Sequence, residues 1–269
     1  MEVRVELMVC LLLLVAWGSC NPRGRLKENL SLLPSAVVAE RAKIVGGYDA
    51  RIEEFPYQLS LRRRGAHGCG ASIIALRWAL SAAHCTFPTP ELDVLTLRAG
   101  SANRLAGGTI YSVEQIINHP LYSDYTMEFD VSLVRVGSDL VGQFITTVTL
   151  PPATSGYAPG TRVNVSGWGL QTVPGALPVQ LQWFDVPLIS TEECRNYWPS
   201  DWITEEMLCA GEVGRDTCNG DSGNPLVVHG YQMGVSSWGS NDCSGRQPAI
   251  YASTAHPTIR SFIQEHAGV

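Results

Sequence analysis

The sequence lacks an apolar run long enough to cross a membrane as a helix. Its most hydrophobic stretch, residues 8–17, falls well short of the about 20 residues that a span needs. It also lacks any long lysine or arginine run, and with a formal charge of −6 it offers no footing for nucleic acid or other acidic polymers. No CxxC pair occurs, and no histidines stand at ligand spacing from the cysteines, which argues against a structural zinc site. Internal repeats and low-complexity tracts are missing, which excludes a repeat array. Helical periodicity is scarce and confined to the tail.

What the chain does have is 269 residues, 45% of them hydrophobic and 16% charged, enough for one large core or two small ones. Residues 1–6 carry both charge signs, residues 8–17 are apolar, and Gly18, Ser19 and Cys20 are small. This is the pattern of a signal peptide over residues 1–20, cut after Gly18 or after Cys20, and it implies a secreted, extracellular protein with no membrane partner. Residues 21–43 form a polar stretch with a basic end, Glu40-Arg41-Ala42-Lys43, and read as a removable leader. Of eight cysteines, Cys10 and Cys20 lie in or beside the signal segment. The other six, in an exported chain, favour three disulfides, for which sequence alone allows about fifteen connectivities.

From Ile44 onward, short runs rich in Val, Ile, Leu and Thr alternate with Gly, Pro, Asn and Asp, as in residues 158–169. Such punctuation predicts an all-β domain over residues 44–269, in two barrels at about 44–145 and 146–255, with residues 141–159 crossing between them. Pro257 then opens a stretch in which Ile259, Phe262, Ile263 and His266 fall at i, i+3, i+4 and i+7, predicting a helix over about 257–267 that lays its apolar face on a barrel.

Three separate segments carry residue types suited to acyl transfer. Leu80-Ser81-Ala82-Ala83-His84-Cys85 sets a histidine beside a cysteine. Phe129-Asp130-Val131-Ser132-Leu133 places an acid in an apolar strand. Cys218-Asn219-Gly220-Asp221-Ser222-Gly223 puts a serine in a glycine-rich turn. A hydroxyl becomes a useful nucleophile when a base takes its proton, a third group holds the base, and backbone donors receive the oxyanion. Over residues 44–269 the chain resembles the trypsin and chymotrypsin family, in which the same three residues come in the order His, Asp, Ser.

The resemblance implies two packed six-stranded antiparallel β-barrels with a C-terminal α-helix, and the proton-relay chemistry for which that family is the standard worked case. Ser222 would attack the scissile carbonyl, His84 would move the proton, and Asp130 would orient the imidazole. The N–H groups of Gly220 and Ser222 would form the oxyanion hole. Lys43-Ile44-Val45-Gly46-Gly47 looks like the family's activation site, where cleavage after Lys43 would free an ammonium on Ile44 to pair with Asp221. Cleavage at Arg41 would leave two residues in front of Ile44. The resemblance also implies the disulfides Cys69 with Cys85, Cys194 with Cys209, and Cys218 with Cys243.

Asp216, six positions before Ser222, matches the acid at the bottom of the trypsin pocket and implies selection of lysine or arginine. Ser237, Trp238 and Gly239 match the strand that pairs with the substrate backbone, and Asn219 would sit at the pocket rim. Ala249 departs from the pattern, since trypsins have glycine there; its methyl group predicts a smaller pocket that favours lysine over arginine. Asn224 follows Gly223 where the family has a second glycine, and asparagine is the least costly replacement where the backbone needs a positive φ. Ala71 is a similar small change.

Residues 101–109 correspond to a loop that binds calcium in vertebrate trypsins, but here hold Asn103 and Arg104 and no carboxylate, so no metal is expected. Arg62-Arg63-Arg64 would tip an exposed hairpin, and His67, His119, His229, His256 and His266 have no assigned part. Two sequons occur, at Asn29 in the leader and at Asn164 in an expected strand.

The leading reading is a trypsin-like endopeptidase of digestive or general extracellular use. It would need no cofactor and act as a monomer on protein or peptide substrates. Its other partners would be protein protease inhibitors and an activating protease, or itself. The alternatives are a catalytically weak homologue that binds proteins and a cascade protease of narrow specificity.

Overall fold

The computed structural model describes residues 46–269. Lys43 and Ile44, the signal segment and the leader lie outside the described residues. A short strand β1 (Tyr48–Asp49) comes first. Six strands follow: β2 (Gln58–Arg63), β3 (Ala66–Ala75), β4 (Trp78–Ser81), β5 (Leu95–Ala99), β6 (Thr109–Asn118) and β7 (Ser132–Val136). They close into an antiparallel barrel in the order β2-β3-β4-β7-β6-β5. Residues 137–161 lead to β8 (Arg162–Gly167), β9 (Gln182–Ile189), β10 (Met207–Ala210), β11 (Pro225–Val228), β12 (Tyr231–Trp238) and β13 (Ala249–Ser253). These run β9-β10-β13-β12-β11-β8, and the pairing of β8 with β9 closes a second six-stranded barrel, to whose β9 the strand β1 adds.

The barrels follow from period-two patterning. In β9 buried and half-buried residues alternate along all eight positions from Gln182 to Ile189, so one face meets the core and the other does not. Leu59, Leu61, Ile73, Leu97, Tyr111 and Val134 fill the first barrel. Val163, Val165, Phe184, Val186, Leu226 and Tyr251 fill the second. A third cluster joins the two, with Leu80 and Leu133 from the first meeting Val227 and Val235 from the second.

That third cluster also receives the tail. Helix α2 (Pro257–Ala267) starts with Pro257 at its first turn and stops at Gly268, whose φ of 75° suits a left-handed cap. Ile259, Phe262 and Ile263 are buried in the joining cluster, each such side chain contributing about 1.5–3 kcal/mol by leaving water. Helix is not confined to the tail, however. A short helix α1 (Thr191–Cys194), whose cap Ser190 accepts from the Glu193 N–H at 3.1 Å, interrupts the second barrel. Its four residues are too few for periodicity to show. Among the described residues no helix is long and apolar enough to cross a membrane.

Candidate active site

The site residues sit where loops of the two barrels face each other. His84 lies in a helical turn at Ala83–Cys85 directly after β4, and the disulfide Cys69–Cys85 ties that turn to β3. Asp130 precedes β7 and is completely buried. Its neighbour Phe129 takes a φ of 51°, an uncommon conformation for a bulky side chain. The ring of Phe129 stacks on His119 at 4.9 Å and meets His256 edge-on at 5.9 Å, so side-chain packing holds the bend that aims Asp130.

Asp130 accepts three hydrogen bonds. The His84 backbone N–H reaches Oδ1 at 2.9 Å, His84 Nδ1 reaches Oδ2 at 2.7 Å, and the Ser237 hydroxyl reaches Oδ2 at 2.5 Å. With its proton on Nδ1, the imidazole presents Nε2 as an acceptor. The Ser222 hydroxyl makes no hydrogen bond to any described residue; Ser222 is half-buried and lines a cleft.

The turn carrying Ser222 is wound around the Asp221 carboxylate. Asp221 N–H donates to the Cys218 carbonyl at 2.8 Å, and Asn224 N–H donates to the Asp221 carbonyl at 3.0 Å. The carboxylate in turn accepts from Gly169 N–H at 2.8 Å, Cys218 N–H at 3.0 Å and Asn224 Nδ2 at 2.9 Å. The N–H and C=O of a trans peptide point opposite ways. The Asn219 carbonyl accepts from Leu170 N–H at 2.9 Å and the Asp221 carbonyl from Asn224, so the N–H groups of Gly220 and Ser222 point away from those partners. Neither donates to a described residue, which leaves both free for an oxyanion. Gly223 has a φ of 82°, and a Cβ there would run into the Gly70 carbonyl and the Ser81 hydroxyl, so this position requires glycine.

Beside the turn lies a cavity of about 200 Å³ lined by Thr217, Cys218, Asn219, Ser222, Ser236, Ser237, Trp238, Gly239, Ser240, Asn241 and Cys243. The disulfide Cys218–Cys243 braces its wall, while Cys194–Cys209 links α1 to β10. Asp216 is only 2% exposed and stands behind that lining. It accepts from Gly245 N–H at 3.1 Å and from the hydroxyl of the lining residue Ser240 at 3.4 Å. The buried Ala249 faces Gly239, such that a Cβ built on Gly239 would lie 3.7 Å from the Ala249 methyl.

Burial pushes Asp216 up to about 7, with the Asp221 charge adding to the rise and the donors from Gly245, Thr217 and Ser240 opposing it. Burial likewise pushes Asp221 up to about 6. Both folded values exceed the unfolded 3.8, so the folded state holds more protons between the two, and stability from these groups declines as pH rises through that window. A cation held by Asp216 would show the opposite dependence, because only the ionised acid attracts it. The dissociation constant of a small alkylammonium ion, measured by calorimetry from pH 8 down to 5, should stay level above about 7 and then rise roughly ten-fold per pH unit. A level profile throughout would contradict this.

The trypsin family model matches residues 44–263. The chain belongs to the trypsin family. Among its relatives, trypsin beta of Drosophila erecta is 36% identical over 97% of this chain and 100% of its own length. Trypsin alpha-4 of Lucilia cuprina is 38% identical over 82% of this chain and 86% of its own. Hypodermin-A of Hypoderma lineatum is 38% identical over 84% and 88%.

Within this trypsin-family fold, Asn224 is not explained by a positive φ. It is not among the residues with left-handed backbone, and its side chain is instead engaged in hydrogen bonds. His67, left unassigned by sequence, is also engaged. Its Nε2 pairs with the Gly220 carbonyl at 3.0 Å, and its Nδ1 with the Ser60 hydroxyl at 2.8 Å. A carbonyl only accepts, so Nε2 carries the proton and Nδ1 accepts from Ser60. Burial pushes His67 down to about 4, consistent with that neutral ring.

Ser236, Ser240 and Asn241 also line the pocket, and their closeness in sequence to Ser237, Trp238 and Gly239 was the available signal. The one cluster at metal-ligand spacing among the described residues is Cys69, His84 and Cys85, and both sulfurs belong to a disulfide. In the 101–109 loop, Asn103 Oδ1 instead accepts from the backbone N–H groups of Leu105 and Ala106 at 2.9 and 3.1 Å. Arg63 and Arg64 are exposed at the β2–β3 turn, while Arg62 is half-buried and bonds the Gly65 carbonyl.

Proposed function

We propose that this trypsin-family protein is a secreted serine endopeptidase. It is made as a precursor, activated by cleavage after Lys43, and cuts peptide bonds on the carboxyl side of lysine or arginine. The His84–Asp130 pair carries the reading, because a proton on Nδ1 shared with Asp130 leaves Nε2 as the acceptor of the imidazole, and the Ser222 hydroxyl is engaged by no described residue. His84 takes the Ser222 proton as Oγ attacks the scissile carbonyl, and Asp130 stabilises the imidazolium that forms. The N–H groups of Gly220 and Ser222 receive the oxyanion, each such donor contributing about 10²–10³ in rate. His84 then gives its proton to the leaving amine, and water repeats the sequence in reverse on the acyl-enzyme.

Asp216 supports the choice of a cationic side chain, since a buried carboxylate left unpaired by an apolar substrate is disfavoured. Ala249 supports lysine over arginine, because its methyl lies 3.7 Å from where a Cβ on the cavity-lining Gly239 would stand and replaces the glycine that trypsins have there. Relatives named trypsin support a digestive or general proteolytic role, with protein substrates and protein inhibitors as partners. Rates on matched lysine, arginine and phenylalanine esters, before and after cleavage at Lys43, test the reading. Activity on the basic esters should appear with cleavage, with lysine preferred. Ala249→Gly should shift the arginine-to-lysine ratio of kcat/KM upward by about ten-fold, the effect of one methyl in a tight pocket. An unchanged ratio would remove the role given to Ala249, and silence on all three esters after cleavage would overturn the function.

A further inference from the structure

Asn224 stands where the trypsin family usually has glycine, and the fold has made a slot for it. Its side chain is fully buried between Gly70 of β3 and Gly167 of β8, and a Cβ on either glycine would collide with the Asn224 amide. The amide cannot turn over. Its Oδ1 accepts from Gln58 Nε2 at 2.7 Å, and that Nε2 also donates to the Leu59 carbonyl at 3.3 Å, an acceptor only, which fixes the Gln58 amide. Gln58 Oε1 accepts from the Ser166 hydroxyl at 2.7 Å. This chain of donors leaves Nδ2 facing the Asp221 carboxylate at 2.9 Å. Asp221 is 1% exposed and is the hub of the turn that carries Gly220 and Ser222, so whatever fixes its carboxylate fixes the donors of the oxyanion hole.

Among the described residues, the donors to that carboxylate are Gly169, Cys218 and Asn224. A glycine at 224 would supply one fewer, leaving more of the ordering to the Ile44 ammonium. We propose that Asn224 is a positioning residue that holds Asp221 in its ordered orientation without the ammonium, so that the uncleaved chain retains a fraction of the mature activity. The inference rests on the reading that cleavage after Lys43 activates the protein. It makes activation graded, with the internal amide and the new ammonium acting on one carboxylate.

The donors from Cys218, Gly169 and Asn224 all lower the pKa of Asp221 against the rise caused by burial. Loss of the Asn224 donor therefore raises it. Among the described residues, the other titratable groups that sense the Asp221 charge are Asp216 and Tyr251, and neither is altered by substitution at 224.

The test uses full-length protein made uncuttable by Arg41→Gln with Lys43→Gln, compared with protein cleaved at Lys43, each with Asn224 or Asn224→Gly, assayed on a lysine ester. The uncut protein should run at roughly 1–10% of the cleaved rate. Asn224→Gly should lower that residual rate about ten-fold or more through kcat, the effect of one hydrogen bond to a charge, and change the cleaved enzyme by less than about three-fold. The acid limb of the uncut protein's pH profile should move to higher pH in the variant, which a loss of packing alone would not produce. Gln58→Met, which keeps Asn224 but frees its amide, should give an intermediate fall, and thermal melting of each variant reports whether the fold is kept. A silent uncut protein overturns the proposal, as does residual activity that Asn224→Gly leaves unchanged. An uncut protein as fast as the cleaved one overturns the activation reading instead, and the Asn224→Gly comparison still decides whether Asn224 positions Asp221.

Discussion

Replacing Ser222 by alanine should lower kcat on a lysine ester by about 10⁵ or more while KM stays within a few-fold, because the hydroxyl acts only as the reaction proceeds. The Ser222 side chain makes no hydrogen bond to any described residue, so its removal leaves the His84–Asp130 pair, the turn around Asp221 and the neighbouring cavity without a lost partner. Residual catalysis from substrate binding and the Gly220 and Ser222 N–H groups should remain above the uncatalysed rate, since an alanine at 222 keeps its backbone donor. Steady-state rates with matched melting temperatures measure this. A variant retaining more than about 1% of kcat would show that another group performs the attack, because a nucleophile acting with its base as a unit leaves far less when it is removed.

The second large effect belongs to Asp216. Asp216→Ser should reduce kcat/KM on lysine and arginine esters by roughly 10³–10⁵ and leave a phenylalanine ester little changed or faster, reversing the order of preference. A buried carboxylate bonded by Gly245 and Ser240 has few ways to be satisfied apart from a cation. A neutral residue removes the attraction and also the penalty on apolar side chains. The lining of the cavity stops short of Asp216, with Ser240 in between, so a lysine ammonium would reach the acid partly through that hydroxyl. An equal loss on all three esters would place Asp216 in the stability of the turn and not in the choice of substrate, since the neighbouring Asp221 and the disulfide Cys218–Cys243 share that segment.

Much of this architecture was legible in the chain. Short β-rich runs broken by glycine and proline announced an all-β fold. The spacing of Ile259, Phe262 and Ile263 announced α2, whose buried face is those residues. Both signals are local, and local periodicity is what a sequence records directly. The six cysteines left fifteen pairings open by counting, and only the family resemblance narrowed them to the three bonds that the structure contains. The short helix α1 leaves no sign in the sequence because four residues carry no period, and the condition of a positive φ at Asn224 is not met, because what lies opposite its side chain decides its place.

The sequence by itself determined the strand-forming runs, the tail helix, and the presence of a histidine, an acid and a serine in segments suited to acyl transfer. Only the tertiary structure decided which of these residues meet. Ser237 joins Asp130 across 107 positions, His67 joins Gly220 across 153, and Gln58 joins Asn224 across 166. Contacts of that range depend on the register and closure of two barrels, and each barrel is held by the summed burial of many side chains that carry no label for a particular distant partner. The residues of the site are written in the chain, but the donor that each buried acid receives is settled only when the barrels close and water is excluded, since a buried charge must then find its partner within the protein.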